Sequence, residues 1–436
     1  MYIPYDKIFE TLALILPLKY YTRLKETGVK LKLHGNLKYI SKNQKRVLKK
    51  LRKKIQNNEK INVAFYIYDE TKWKSQSIYD LMLEDEIFEP YIFVSKNCSP
   101  KTNFNYQTKE ELYKVYDFFK KRNMRVFYAY DFDSDKFIPF KNLKIKPDII
   151  FYSHPWYIHS SQGPVACSKF ALTYYIPYFV ATSISPIEYY LRFHQYIGTQ
   201  YVLNDEIKNY YSINMENKGK NLKAAGHPML DYFYLNKDKK FDKKDYVIFA
   251  PHWSIDKNND LRWGTFLWSG EFMLKYAKKH PKLNWIFKPH PCLKNYLLIK
   301  NFANEDEVNN YWAQWEKIGK VMESGDYSEL FMQSCAMITD CGSFETEYFL
   351  TQKPLIHLKN PLAIPFNPSV KKIVQTYYEA QNESELEKIL DSVIIQKLDY
   401  KKEERKNTLK ELKLDNRYAA KNIINDIKQT LGANNV

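Results

Sequence analysis

Leu283-Asn-Trp-Ile-Phe-Lys-Pro-His290-Pro291 and, further on, Ala336-Met-Ile-Thr-Asp340-Cys-Gly342-Ser343-Phe-Glu345-Thr-Glu347-Tyr348 share one design: a short apolar run that stops abruptly at small or polar residues. Pro354-Leu-Ile-His357-Leu358 follows as a third such run. Apolar runs of this length read as buried strands, and the breaks after them as the loops or helix starts of an open α/β sheet. Ligands of such sheets sit at the carboxyl ends of the strands. Gly342-Ser343 at the start of a helix offers backbone N–H groups, a hydroxyl and the positive end of the helix dipole to an anion. The pair therefore reads as a phosphate site, and Glu345 or Glu347, one turn on, can reach the hydroxyls of a ribose attached to that phosphate.

Working outward, the same alternation of strand and helix covers most of the chain. On the N-terminal side, strands are predicted at 62–68, 91–94, 125–130 and 148–152, with helices at 77–83 and 110–121. In the second of these helices Leu112, Val115, Tyr116 and Phe119 keep helical spacing. Two more turns of the pattern follow at 199–204 and 222–226. A charged stretch, 236–245, reads as a linker. The alternation then restarts with strands at 246–252, 283–291, 320–323, 336–340 and 355–358, and with helices at 265–279, 308–315, 328–333 and from Phe344. Strand-helix alternation of this kind builds parallel sheets with covered faces, here two Rossmann-like sheets in tandem. The expected division is 1–60, a basic helical segment; 61–235, the first Rossmann-like domain; and 236–436, the second, ending in charged helices expected to pack back across both domains.

Composition supports a globular chain with an anionic partner. The 436 residues carry 67 Lys+Arg against 50 Asp+Glu, a net charge of +17, and are 44% hydrophobic and 16% aromatic. That length corresponds to two or three units of roughly 150 residues. A basic balance favours anions without choosing among nucleic acid, anionic lipid and a phosphorylated metabolite. No nucleic-acid module is visible, and the tyrosines and tryptophans fall mainly inside apolar runs, where core packing is the default. Cys98, Cys167, Cys292, Cys335 and Cys341 are odd in number and scattered, so neither a disulfide framework nor a zinc site is expected. The N-terminus has no signal-peptide pattern and no stretch reaches the roughly 18 apolar residues of a membrane span. The expected location is the cytoplasm. Residues 1–60 open apolar and then carry a basic run, Lys42 to Lys54. This suits attachment to an anionic membrane face, or equally a solvated helix packed on the next domain.

Three histidines stand at strand ends, and a fourth follows one of them. His290, flanked by prolines and preceded by Lys288, can project with it into a cleft between the domains, and His252 occupies the equivalent place in the preceding unit. His154 ends a strand of the first domain in Phe151-Tyr-Ser-His-Pro-Trp-Tyr157, and His159 follows; either can serve as a base there. Gly-x-Gly-x-x-Gly and the P-loop pattern are absent, which disfavours a dinucleotide-dependent or P-loop enzyme. Asp131-Phe-Asp-Ser-Asp135 lacks the Gly and terminal Glu of a calcium loop and reads as a solvated turn. No metal or cofactor is expected.

Lys288-Pro-His290-Pro291, Ile338-Thr-Asp340-Cys-Gly-Ser343-Phe-Glu-Thr-Glu347 and Lys353-Pro354 together resemble the CDP-glycerol glycerophosphotransferase family, the teichoic-acid and capsule polymerase-like enzymes. The likeness covers the second domain well and the first loosely. It implies a GT-B-like architecture, two Rossmann-like domains facing across a cleft. It also implies transfer of a polyol phosphate from a CDP-activated donor, with release of CMP, to a hydroxyl of a cell-surface glycopolymer or its lipid-linked precursor at the inner face of the membrane. By resemblance His290 and Ser343 contact the donor's phosphates, and Glu347 stands where the family commonly has the Asp that holds the ribose. Two departures stand out. The family's usual Ser-Asp-Tyr-Ser-Ser is Thr339-Asp340-Cys341-Gly342-Ser343 here, with one hydroxyl fewer, and the polymerases' Trp-His-Gly of the first domain has no match. The alternative of the same architecture is a nucleotide-sugar-dependent glycosyltransferase of capsule or surface-polysaccharide synthesis.

Overall fold

The computed structural model describes residues 18–99, 107–242, 244–323, 327–415 and 418–433, with side chains from residue 35 onward. Its frame is two parallel sheets. The first has seven strands: β1 (Ile61–Ile67), β2 (Phe88–Val94), β3 (Val126–Tyr128), β6 (Ile149–Tyr152), β7 (Leu172–Tyr175), β8 (Thr199–Val202) and β9 (Leu222–Ala224), in the order β3-β2-β1-β6-β7-β8-β9. A small hairpin, β4 (Tyr130–Asp131) with β5 (Lys136–Phe137), stands outside it. The second has six: β10 (Tyr246–Ala250), β11 (Asn284–Phe287), β12 (Lys320–Val321), β13 (Ser334–Thr339), β14 (Leu355–Leu358) and β15 (Tyr378–Ala380), ordered β12-β11-β10-β13-β14-β15. In each sheet the order reverses once, between β1 and β6 and between β10 and β13. A reversal of this kind leaves a crevice beyond the strand ends.

Both faces of each sheet are covered, which is why the strands read as continuous apolar runs. Ile61, Val63, Phe65 and Ile67 of β1 point into one core and Ala64 and Tyr66 into another. A further cluster joins the domains, uniting Ile207 and Tyr211 of the first with Ile248, Met337 and Phe349 of the second. The domains are also sewn together by main chain. Ser183 pairs antiparallel with Phe366, and Asn367 N–H donates to Thr182 O at 2.9 Å while its side chain donates to Ala181 O at 2.8 Å.

The basic segment is one helix, Leu18–Gln56, free of Asp and Glu from Thr27 to its end. Val47 and Leu51 enter the first-domain core, and Lys54 Nζ meets Asp148 Oδ2 at 2.6 Å. The described part of this helix packs on the first sheet with its outer face, including Lys42, Lys45 and Lys49, exposed. The apolar opening at 1–17 lies outside the described residues. The last helix, Ala419–Leu431, returns to the first domain, its start held by the Asp231 carboxylate, which accepts from Ala419 N at 2.7 Å and Ala420 N at 3.0 Å. Helix Glu383–Leu390 packs instead in the second-domain core, so the C-terminal region spans both domains as its charged, helical pattern led us to expect.

Candidate active site at two strand-end crevices

The second-domain crevice gathers most of the predicted residues. Beyond β10, the His252 Nδ1 accepts from Ser254 N at 3.2 Å; beyond β11, the His290 Nδ1 accepts from Cys292 N at 3.1 Å. A nitrogen that accepts a main-chain N–H carries no proton, so both neutral imidazoles present their Nε2–H as a donor. Their rings lie 4.9 Å apart, edge to face. Burial drives both pKa values down, His290 to about 4 with help from the Lys288 ammonium, and His252 well below the ordinary histidine value with help from His290. Lys288, 3% exposed, lies over the rings of Tyr327 and Phe344 at 4.9 and 5.5 Å. Burial lowers its pKa, and the nearby Cys341 and Glu347 partly restore it.

Asp340 braces this crevice at the point where the strand order reverses. Its carboxyl accepts from His252 N and Thr265 N, both at 2.6 Å, and from Thr265 Oγ1 at 2.7 Å. Full burial pushes its pKa up to about 7. The helix after it, Gly342–Phe349, begins where the phosphate-site reading requires, two residues before the Phe344 start read from sequence. Ser343 Oγ lies 3.4 Å from Cys341 Sγ. A Cβ at Gly342 would stand 3.1 Å from Thr182 Oγ1 and from Trp263, and 3.3 Å from Phe366, so the first domain closes directly on this turn.

Glu345 and Glu347 part company. Two residues apart on a helix, they face nearly opposite ways. Glu347, 2% exposed, lies near enough to Lys288 to raise its pKa. Glu345 pairs with His357 Nδ1 on β14 and keeps its Oε2 buried with no hydrogen-bond partner among the described residues. Burial pulls the His357 pKa down, but Glu345, with Glu379 and Asp340 beyond it, more than reverses this and leaves it raised.

The first-domain crevice holds a cavity of about 760 Å³ at the carboxyl ends of β1, β6 and β7, lined among others by Tyr68, Asp69, Glu70, Lys72, Trp156 and Tyr178. Neither His154 nor His159 is part of its lining. His154 is 0% exposed, its ring centroid 3.8 Å from that of Tyr68, with Nδ1 3.0 Å from Ser153 Oγ and Nε2 buried without a hydrogen-bond partner among the described residues. Burial, aided by Lys72, drives its pKa well below the ordinary histidine value. His159 stacks on Phe137 of the hairpin at 4.3 Å. Asp69, Glu70, Lys72 and Tyr178 were not singled out from sequence; the signal for the first three was their place just after the strand 62–68. Lys72 links the two crevices, lying close enough to bias both His154 and Cys292, the residue whose N–H fixes His290. Among the described residues no group of three or more His, Cys, Asp or Glu side chains is placed to hold a metal ion, and no helix is long and apolar enough to cross a membrane.

Two Rossmann-like domains facing each other across strand-end crevices define the GT-B-like class of α/β proteins, and this chain has that fold. No protein-family model and no curated protein matches its sequence. Among solved structures it is similar to the UDP-GlcNAc 2-epimerase of Neisseria meningitidis bound to UDP-GlcNAc, with a TM-score of 0.54 and 14% identity over 85% of this chain and 99% of that one. It is similar also to S. aureus MnaA with UDP, with a TM-score of 0.56 and 11% identity over 86% and 97%. A variant of the wall teichoic acid polymerase TagF gives a TM-score of 0.52 at 12% identity over 89% and 98%. Likeness at these identities is likeness of fold.

Proposed function

We propose that the chain is a transferase that moves a polyol phosphate, glycerol phosphate or a relative, from a CDP-activated donor to a hydroxyl of a cell-surface glycopolymer or its lipid-linked precursor. The observation that carries this is the pair of fixed Nε2–H donors of His252 and His290 at the same crevice as the Gly342–Phe349 helix start. Hydrogen-bond donors preset around developing charge are the main electrostatic device of such catalysis. The acceptor oxygen attacks the distal phosphorus, the bond from that phosphorus to the bridging oxygen breaks, and CMP leaves with the electron pair while His290, Ser343 and the helix dipole stabilise it. Glu347 holds the ribose. The acceptor's proton passes to a carboxylate that lines the first-domain cavity, Asp69 or Glu70, in preference to His154 or His159, which do not reach it.

A thermal-shift panel of CMP, CDP, UDP and GDP tests the donor, because a ligand held by the folded state raises the melting temperature by mass action. Stabilisation by the cytidine nucleotides, and CMP release that His290→Ala abolishes, are expected; near wild-type turnover in that variant would sink the assignment. The second reading is a glycosyltransferase, favoured by neighbours of this fold that carry UDP-GlcNAc and UDP. UDP or GDP as the released nucleotide would establish it. The exposed, acid-free face of the long helix, with Lys42, Lys45 and Lys49, suits an anionic membrane surface at about 1 kcal/mol per cation. Reversing those three charges should release the protein from anionic liposomes, and unchanged binding would remove that role.

A further inference from the structure

We propose that the first-domain cavity is a subsite for an uncharged saccharide end, and that it turns away a polyol-phosphate chain. This rests on the transferase reading for the use of the site, and it chooses between the neutral and polyanionic acceptors which that reading leaves open. At about 760 Å³ the cavity falls within the roughly 300–1,000 Å³ of small-molecule sites.

Its walls are of two kinds. Trp156 and Tyr178 meet at 89° with centroids 6.1 Å apart, forming an aromatic corner at the ends of β6 and β7. A pyranose ring carries its C–H bonds on flat faces and its hydroxyls on the rim, so one aromatic plane can cover a sugar face while the other closes its edge. Tyr68, just after β1, lines the cavity with them. The rest of the polar lining is rich in carboxylates. Among the described lining residues Asp69, Glu70 and Glu111 outnumber Lys72 and Lys114. Lys72 is committed besides, with Nζ 3.2 Å from Asp69 and 4.4 Å from the Tyr178 ring centroid. Carboxylates accept hydrogen bonds from sugar hydroxyls and repel phosphate oxygens. The wall therefore admits a saccharide and opposes a chain of phosphodiesters. Lys72 of this lining is near enough to bias the thiol of Cys292, whose N–H holds His290, so the cavity faces the same side of the molecule as the donor crevice.

The test is calorimetric titration of the full chain with uncharged di- and trisaccharides of hexoses and N-acetylhexosamines and, separately, with a tri(glycerol phosphate). At least one saccharide should bind with an affinity indifferent to salt, weakened about tenfold by Trp156→Ala and by Tyr178→Ala, while CDP still stabilises both variants and so reports their folding. The glycerol phosphate oligomer should not bind the wild type and should gain salt-dependent binding in Glu70→Lys. Wild-type binding of that oligomer as tight as any saccharide, or no saccharide binding at all, overturns the proposal. If saccharides bind as stated while no nucleotide binds, the subsite stands and the transferase reading falls.

Discussion

The two crevices occupy the same place in two copies of one architecture, and they are chemically unlike. Each lies where the strand order of its sheet reverses, β1 against β6 and β10 against β13. The second presents fixed imidazole N–H groups, a buried ammonium and a helix start, all of them suited to negative charge. The first presents carboxylates and an aromatic corner. The fold supplies position, and a few side chains at the strand ends decide the chemistry. On the transferase reading proposed above, the difference would set the direction, with an anionic donor on one wall and a hydroxyl-bearing acceptor on the other.

The largest effect that can break this contrast is His290→Ala. Loss of one preset donor lowers kcat by about 10²- to 10³-fold, and we expect at least that in CMP release, with saccharide binding in the first crevice unchanged. Loss of saccharide binding as well would mean that the two walls form one undivided site. Next comes Glu345→Ala. It strands the His357 imidazole in a buried setting, a change that costs about 3–5 kcal/mol where a buried pair is broken from one side. Urea unfolding should show a loss of that order. A loss below about 1 kcal/mol, typical of exposed pairs, would mean that the pair does not brace the donor helix.

Much of this frame was legible in the sequence, and what was not has physical reasons. The strand ends at His252 and His290 and the helix start at Gly342–Ser343 were readable because a long apolar run cut short by Pro or Gly has few other interpretations, and the structure brings those residues with Lys288 and Glu347 to one crevice. β7, Leu-Thr-Tyr-Tyr, and β15, Tyr-Glu-Ala, escaped notice because each is short and mixes polar residues into a buried strand, where neighbours on the sheet supply the context. The first crevice was misjudged for a related reason. In a chain so rich in aromatics, Trp156 and Tyr178 look like core, and only the folded chain turns them into a cavity wall. His154 ends its strand as expected, yet packs behind Tyr68, because sequence marks the strand end without fixing which side of it the ring takes.

A smaller effect is expected where the walls touch. In Gly342→Ala the new methyl meets Thr182 Oγ1 and Trp263 at 3.1 Å. Overpacking of this kind costs about 1–3 kcal/mol, and the better helix propensity of Ala returns up to about 1 kcal/mol. We expect a net loss of about 1 kcal/mol in chemical unfolding, partly relieved by Thr182→Ala in the same chain. No relief would mean that the second domain alone crowds this turn.

The smallest effect sharpens the contrast most, because it is a matter of protons. Burial and the Lys288 ammonium hold the pKa of empty His290 near about 4, so its ring is neutral at pH 6. A bound diphosphate places negative charge against Nε2–H and favours the imidazolium, whose new proton sits on Nδ1 and displaces the Cys292 N–H, so binding works against that hydrogen bond, Lys288 and burial together. Nucleotide binding at pH 6 should then take up a fraction of a proton. Because protonation accompanies binding, affinity should rise as pH falls from neutrality toward about 4 and level off below it, and should decline as pH rises through the bound-state pKa. Calorimetry at pH 6 in two buffers of different ionisation enthalpy reads this directly as a buffer-dependent heat. His290→Gln should abolish that dependence, and saccharide binding to the carboxylate wall should never show it. Equal heats in both buffers for the wild-type nucleotide complex would place the diphosphate away from His290 and dissolve the chemical distinction between the two crevices.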